Sequence, residues 1–306
     1  MTEQPRKANK DLFFLSVMFI LLLSLFLTPF MLFAFYLLPL PIFLLVTRFR
    51  PTYGLLLAAL AGGLTALWGW SVGGVIILFA LIVGISMGIM YRKKETTGTD
   101  VVLAGLIASC VGILVIFGVS YLFIPGFYDW IDLLQKELIK VYQQGKEIGI
   151  GTIDPNYIRL NLFLPVMILL MVPPISFINF WLGRKWLSRR GFETKKVLAF
   201  RDWHLPKVFF YFYMVIMIGY LLSDWIGSKV LDNYLGVLFI LQFLFMIQGL
   251  SLIAFWLHYR NKRRAWLVLA FFMLWTPLSM FIQLLGVVDV GFSLRKWILE
   301  KQKNKD

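Results

Sequence analysis

Residues 12–47 read LFFLSVMFILLLSLFLTPFMLFAFYLLPLPIFLLVT, an unbroken stretch without a charge between Asp11 and Arg48. A helix rises about 1.5 Å per residue and the hydrocarbon core of a bilayer is about 30 Å thick, so one crossing takes about 20 mostly apolar residues. The stretch is too long for one crossing and short for two. Pro29 divides it, and Pro39 and Pro41 disturb its second half, because proline withholds a helix hydrogen bond. The pattern predicts two short or kinked helices, 12–28 and 31–47. The polar, basic residues 1–10 precede an apolar run too long for a signal-peptide core. No small-residue cleavage site follows it, which predicts that the first helix is retained.

Further charge-free runs follow. Residues 54–91 suffice for two helices with a turn near Gly69–Gly74, and 101–124 form a fifth. Residues 125–158 are polar enough to leave the hydrocarbon. A sixth run, 160–183, contains Pro165, Pro173 and Pro174. After a basic stretch at 184–207 come 208–223, 233–259 and 266–288. The expected fold class is all-α: a polytopic transmembrane helical bundle of eight or nine segments. Its expected organisation is a six-helix bundle at 1–190 with an outer loop at 125–158, then a basic elbow and a two- or three-segment membrane region at 191–306. Composition agrees. The chain is 60% hydrophobic and 15% charged, against about 45–50% and about 25% in soluble domains. One cysteine, Cys110, cannot pair within the chain, and two histidines argue against a structural zinc site.

The net charge of +14 is read first as orientation, because short cytoplasmic loops collect Lys and Arg. Basic clusters stand before the first helix and after the second, fourth, sixth and eighth. They fall on one side if each run crosses once. That side is expected to be cytoplasmic, with the N-terminus on it, and nucleic-acid binding is not expected. The tail, with Arg295, Lys296, Lys301, Lys303 and Lys305, breaks the rule if 266–288 crosses. Thr276-Pro277 in mid-segment offers the alternative of a re-entrant pair that returns the tail to the cytoplasmic side.

Small residues recur four apart: Ala104, Ala108 and Gly112; Gly84 and Gly88; Ala58 and Gly62; Ala59 and Gly63. Such stripes let helix backbones approach closely, within the bundle or against another membrane subunit. In the outer loop, Trp130, Leu134, Leu138 and Val141 repeat at helical spacing beside an Asp132–Lys136 pair, which predicts an amphipathic helix. It would serve as a lid over a solute cavity or lie flat as an interfacial anchor. Trp68, Trp70, Trp130 and Asn161 are the candidate solute contacts, although aromatics at this depth also form the interfacial belt and buried amides bond between helices. No Asp, Glu, Lys or Arg falls in the middle of a predicted span, and no phosphate-binding loop or hydrolase motif is present. The expectation is no enzyme, no cofactor, no metal and no internal energy source.

Two short motifs carry a family resemblance. Leu198–Lys207 contains F-R-x-W-x-L-P just before an apolar helix. Leu285-Gly286-Val287-Val288-Asp289 is followed by Phe292 and Arg295. Together with the hydropathy layout they resemble the YybS-like family of bacterial multi-pass membrane proteins, which implies residence in the bacterial cell membrane. The family supplies no catalytic or binding residue to carry over. The first six helices also resemble substrate-binding components of energy-coupling-factor vitamin transporters. That resemblance implies a small-solute site in the outer half, with a coupling subunit and ATPases as partners. The A-x-x-x-A pattern of those components is missing from the first helix, and the three C-terminal segments have no counterpart in them. The alternative is a non-transport scaffold or regulator that contacts the lipid bilayer and a cytoplasmic or envelope partner. Candidate interface residues are Ala104, Ala108 and Gly112, together with Arg201 and Trp203. The last two belong to a segment expected to act as an interfacial elbow or an ordinary membrane anchor, with Pro206 in the first turn of the next helix.

Overall fold

The computed structural model describes residues 3–67, 69–147, 160–222, 235–263, 265–274 and 276–303. Every regular element among them is helical. In chain order they are α1 (Glu3–Ser24), α2 (Met31–Leu37), α3 (Pro39–Arg48), α4 (Pro51–Leu67), α5 (Ser71–Arg92), α6 (Gly98–Phe123) and α7 (Phe127–Glu147). They continue with α8 (Leu160–Ser188), α9 (Lys207–Leu221), α10 (Leu235–Tyr259), α11 (Ala265–Met273), α12 (Ser279–Phe292) and α13 (Leu294–Lys303). Five described stretches are long and apolar enough to cross a membrane: Ala8–Leu27, Met31–Arg48, Val72–Arg92, Gly98–Phe123 and Gly236–Tyr259. α4, α9 and α12 are shorter apolar helices. The chain forms two compact units, residues 1–138 with 167–197, and residues 139–166 with 198–306.

In the first unit the division of the opening run falls where proline puts it. α1 ends in a 3₁₀ turn at Leu25–Leu27, Thr28 is extended, and α2 begins beyond Pro29. Pro39 then opens α3 at the helix start, where a missing N–H costs nothing. α3 is buried along its length, and Ile42, Phe43, Leu44, Leu45 and Val46 form the heart of the unit. Gly84 and Gly88 of α5 admit it closely: a Cβ at either would strike Ile42 or Val46. α6 starts on a reciprocal cap, in which the Asp100 carboxylate accepts from the Thr97 N–H at 2.7 Å and the Thr97 hydroxyl accepts from the Asp100 N–H at 3.4 Å. α8 stays continuous through Pro173 and Pro174. Its buried Asn179 amide donates to the Ile175 carbonyl at 2.6 Å and to the Tyr36 carbonyl of α2 at 2.7 Å.

The charged ends of this unit gather in one place. The buried Asp11 carboxylate is clamped by Arg48 and by Arg190, the latter at 2.5 Å. Arg92 donates to the Phe49 carbonyl at 2.7 Å. The Lys195 ammonium donates to the Lys93 and Thr96 carbonyls at 2.5 and 2.6 Å and to the Thr96 hydroxyl at 2.6 Å. Burial draws the Lys195 pKa below the ordinary lysine value. The basic loops after α3, α5 and α8 therefore share one end, as the charge bias requires.

In the second unit the run 266–288 is not one helix. α11 has nine residues, a length of about 14 Å and so only about half of a hydrocarbon core. The chain then turns around Pro277, where the Thr276 hydroxyl donates to the Met273 carbonyl at 2.8 Å, and returns as α12. Trp266 at the start of α11 and Leu294 and Ile298 of α13 line one groove with Trp256 and Leu257 of α10. Both arms of the hairpin therefore meet the same end of α10. The run is thus a helical hairpin, the shape the re-entrant alternative calls for, in place of one continuous helix over 266–288. α12 lies against α10 at two glycines: a Cβ on Gly249 would collide with the Ile282 carbonyl, and one on Gly286 with the Phe245 carbonyl.

Candidate functional site

The second unit holds a polar knot that joins the two family-like motifs. Between the units' helical parts, residues 198–206 are extended apart from one 3₁₀ turn at Phe200–Asp202, so their main-chain groups have no ladder of their own. Such groups need partners wherever water is scarce. Gln248 and Ser251 of α10 supply them. The Gln248 side-chain oxygen accepts from the Leu205 N–H at 3.0 Å. The Ser251 hydroxyl faces the Phe200 and Trp203 carbonyls at 2.7 and 2.9 Å.

Arg295 completes the arrangement. Ser293 closes α12 in the left-handed region at φ 52°. That turn lets Arg295 reach back to Asp289, although positions six apart on one straight helix point away from each other. Its Nε donates to Asp289 Oδ2 at 3.0 Å, its Nη1 to the Arg201 carbonyl at 2.6 Å and its Nη2 to the Ser251 hydroxyl at 2.9 Å. The guanidinium also lies 5.6 Å from the Phe255 ring centroid. Asp289 Oδ2 takes a second bond, from Gln248 Nε2 at 2.6 Å. Asp289 is 0% exposed and Arg295 9%. Asp289 Oδ1 has no hydrogen-bond partner among the described residues.

Two hollows flank the knot. One, of about 400 Å³, is lined by Phe200, Arg201, His258, Asn261 and Lys262 among others. The other, of about 710 Å³, is apolar and bounded by Trp256, Trp266, Met273, Leu285 and Ile298 among others. They share Leu257 and Lys262. Asn261, at φ 50°, ends α10. Its N–H bonds the His258 carbonyl at 3.1 Å and the Lys262 N–H bonds the Leu257 carbonyl at 2.9 Å, a pairing that fixes the Lys262 backbone beside both hollows.

The residues singled out from sequence are not brought into one site. Trp68 and residues 148–159 of the outer loop lie outside the described residues, as does the Asn161 side chain. Trp70 is half-buried ahead of α5, where its ring packs on Gly73. Trp130 is exposed on α7 and stacks on Phe127 at 5.8 Å. The predicted Asp132–Lys136 pair forms at 2.7 Å, and it raises the exposed Lys136 pKa above the ordinary value. Ala108 and Gly112 are buried, and Gly112 abuts the Phe79 ring of α5. That part of the stripe serves packing within the chain, and Ala104 is half-buried beside it. Arg201 enters the knot through its carbonyl, while its side chain stands 3.8 Å from Asp202. The Trp203 indole donates to the Leu198 carbonyl at 3.1 Å and meets the Phe200 ring edge-on at 5.5 Å. Pro206 stands at the cap position just ahead of α9, one place before its first turn. Sequence reasoning overlooked the Asp289–Arg295 pair; its signal was a carboxylate closing an apolar run with an arginine just beyond.

Long apolar helices, a proline-broken hairpin and buried charges satisfied inside the chain define a multi-pass, all-helical integral membrane protein. The chain belongs to the family described as Predicted membrane protein (DUF2232), whose model matches residues 14–290. It is 24% identical over 272 residues to the Uncharacterized protein YybS of Bacillus subtilis (strain 168), a match covering 84% of this chain and 87% of that one. Its place is the bacterial cell membrane. No solved structure matches it.

Proposed function

We propose that this protein is a membrane scaffold or regulator that does no chemistry and moves no solute itself, and that it presents its basic loops to a cytoplasmic or envelope partner. The observation that carries this reading is the use made of its buried charges. Asp11, Lys195, Asp289 and Arg295 are the charged side chains buried among the described residues. Each is bonded to a side chain or carbonyl of its own unit. Coupled transporters and pumps instead keep intramembrane ionisable groups available to ions and substrate. Here the charges tie loops together, while exposed cations stand on the basic loops of each unit, Lys94 and Arg189 in the first and Arg260 and Lys262 in the second. The rule that short basic loops stay inside favours a cytoplasmic orientation for these loops.

The test is cross-linking in native membranes followed by purification of the full chain. Support is a stoichiometric partner whose recovery falls on charge reversal of Arg189 and Arg260. Recovery of an ATPase pair with a coupling subunit overturns the reading in favour of an energy-coupled solute carrier. Recovery of no stoichiometric partner overturns it as well.

A further inference from the structure

We propose that the joined hollows of the second unit form a binding site for one anionic glycerophospholipid, with its phosphate beside Arg201 and Lys262 and an acyl chain along Trp256 and Trp266. The inference goes beyond the scaffold reading and holds whichever partner the protein has.

The two hollows differ in chemistry and share two wall residues, Leu257 and Lys262. The smaller has Arg201, His258, Asn261 and Lys262 in its wall, a set of donors with two fixed cations that suits a phosphate diester. Among the described residues, the Arg201 guanidinium has a loose ion pair with Asp202, at 3.8 Å. The larger is walled by Leu, Ile, Met and Trp side chains, which suits a hydrocarbon chain and nothing polar. Lys262 and Leu257 stand at the junction, where a glycerol backbone would lie. A lysine there keeps its stem on apolar surface and its ammonium at the headgroup. The volumes, about 400 and about 710 Å³, fall within the range of about 300–1,000 Å³ usual for ligand sites. The walls are also braced. The knot fixes the Arg201 main chain, and the cap at Asn261 fixes that of Lys262. Charge complementarity selects the occupant: a zwitterionic lipid brings a cationic headgroup toward these same cations, whereas phosphatidylglycerol does not.

The test is native mass spectrometry of the full chain released from bilayers of equal phosphatidylglycerol and phosphatidylcholine. The expected result is one retained phosphatidylglycerol, favoured over phosphatidylcholine by roughly tenfold, with retention cut roughly fivefold or more in Arg201→Gln/Lys262→Gln. Leu269→Trp, which fills the apolar hollow and leaves both cations in place, should also expel the lipid. Lys93→Gln/Lys94→Gln, in the other unit, should retain it. Equal retention of both lipids by the unaltered protein overturns the proposal and needs no variant to fold. Displacement of the lipid by millimolar glycerol phosphate without an acyl chain overturns it too, because the site would then be one for a soluble phosphate.

Discussion

Arg295 Nη1 donates to the main-chain carbonyl of Arg201 at 2.6 Å across 94 positions of sequence, so a residue just beyond the helical hairpin grips the start of the F-R-x-W-x-L-P segment. The same guanidinium neutralises Asp289 and bonds Ser251. One cation thus ties the hairpin, α10 and an extended segment together. The physical need comes from the segment: outside its one 3₁₀ turn it lacks a helical ladder, and an arginine offers five donors in a fixed planar fork.

Removing both members of this pair should cost less than the sum of removing each. A buried charge left alone costs about 3–5 kcal/mol, whereas an apolar replacement of the pair is often close to neutral. Asp289→Leu and Arg295→Met should each lower the unfolding midpoint in detergent clearly. The double variant should lose less than the sum, with the stranded Arg201 carbonyl accounting for the remainder. Additive losses would show that the two groups do not stabilise each other.

Glycine substitutions should rank by what the new methyl meets. At Gly286 it strikes the Phe245 carbonyl, which belongs to a helix backbone and cannot rotate away. At Gly291 it meets the Phe210 ring, which can give. At Gly62 it meets nothing within 4 Å. Overpacking costs about 1–3 kcal/mol, and alanine gains about 1 kcal/mol over glycine inside a helix. Thermal unfolding should therefore order the variants Gly286→Ala, Gly291→Ala, Gly62→Ala from most damaged to neutral or improved.

Orientation is checked by reporter fusions. Fusions after Lys94, Arg190 and Arg264 should read cytoplasmic, and a fusion at Lys140 external, because the basic loops share one side. A fusion after Lys303 should match that after Arg264, since Trp266 and Ile298 line the same groove. Opposite signals at Arg264 and Lys303 would mean that α11 and α12 cross as one segment.

The helices were legible because water-to-lipid transfer acts on long runs, and runs are visible in a chain read residue by residue. The breaks at Pro29 and Pro277 and the amphipathic α7 follow from spacing alone. Pro173 and Pro174 lie inside the sixth run and, as that single run implies, mark no end of α8. The knot was less legible. Asp289 and Arg295 are six apart, a separation that no single helix brings face to face, and only the left-handed Ser293 makes the contact. Gln248 read as one more amide able to bond between helices. Its actual partners, the Leu205 N–H and Asp289, are distant in sequence and appear only once α10 and α12 cross at Gly249 and Gly286. Both motifs were nonetheless visible as oddities, and their common purpose lies in the fold.

The segment 198–206 now divides the roles first assigned together to Arg201 and Trp203. Arg201 serves the knot through a carbonyl that alanine retains, so Arg201→Ala should leave the elbow closed. Trp203 is different. Its indole spans the turn to Leu198 and its ring braces Phe200, contacts that alanine loses. An aromatic pair and a hydrogen bond together are worth about 1–3 kcal/mol. As 1.4 kcal/mol is a factor of ten, Trp203→Ala should raise the open population of the segment roughly tenfold. Ser251→Ala should do the same from the other side, because it removes the hydroxyl that faces the Phe200 and Trp203 carbonyls and accepts from Arg295. The readout is tryptic cleavage after Lys196 and Lys207 in inside-out membrane vesicles, with cleavage after Lys93 and Lys94 of the first unit as the internal control. Faster cutting in Trp203→Ala and Ser251→Ala, with Arg201→Ala unchanged, identifies a closed elbow held by its main chain. Protection equal to that of the unaltered protein in both Trp203→Ala and Ser251→Ala would make the segment a surface anchor, because an anchor keeps Phe200 and Leu205 in the interface after either change.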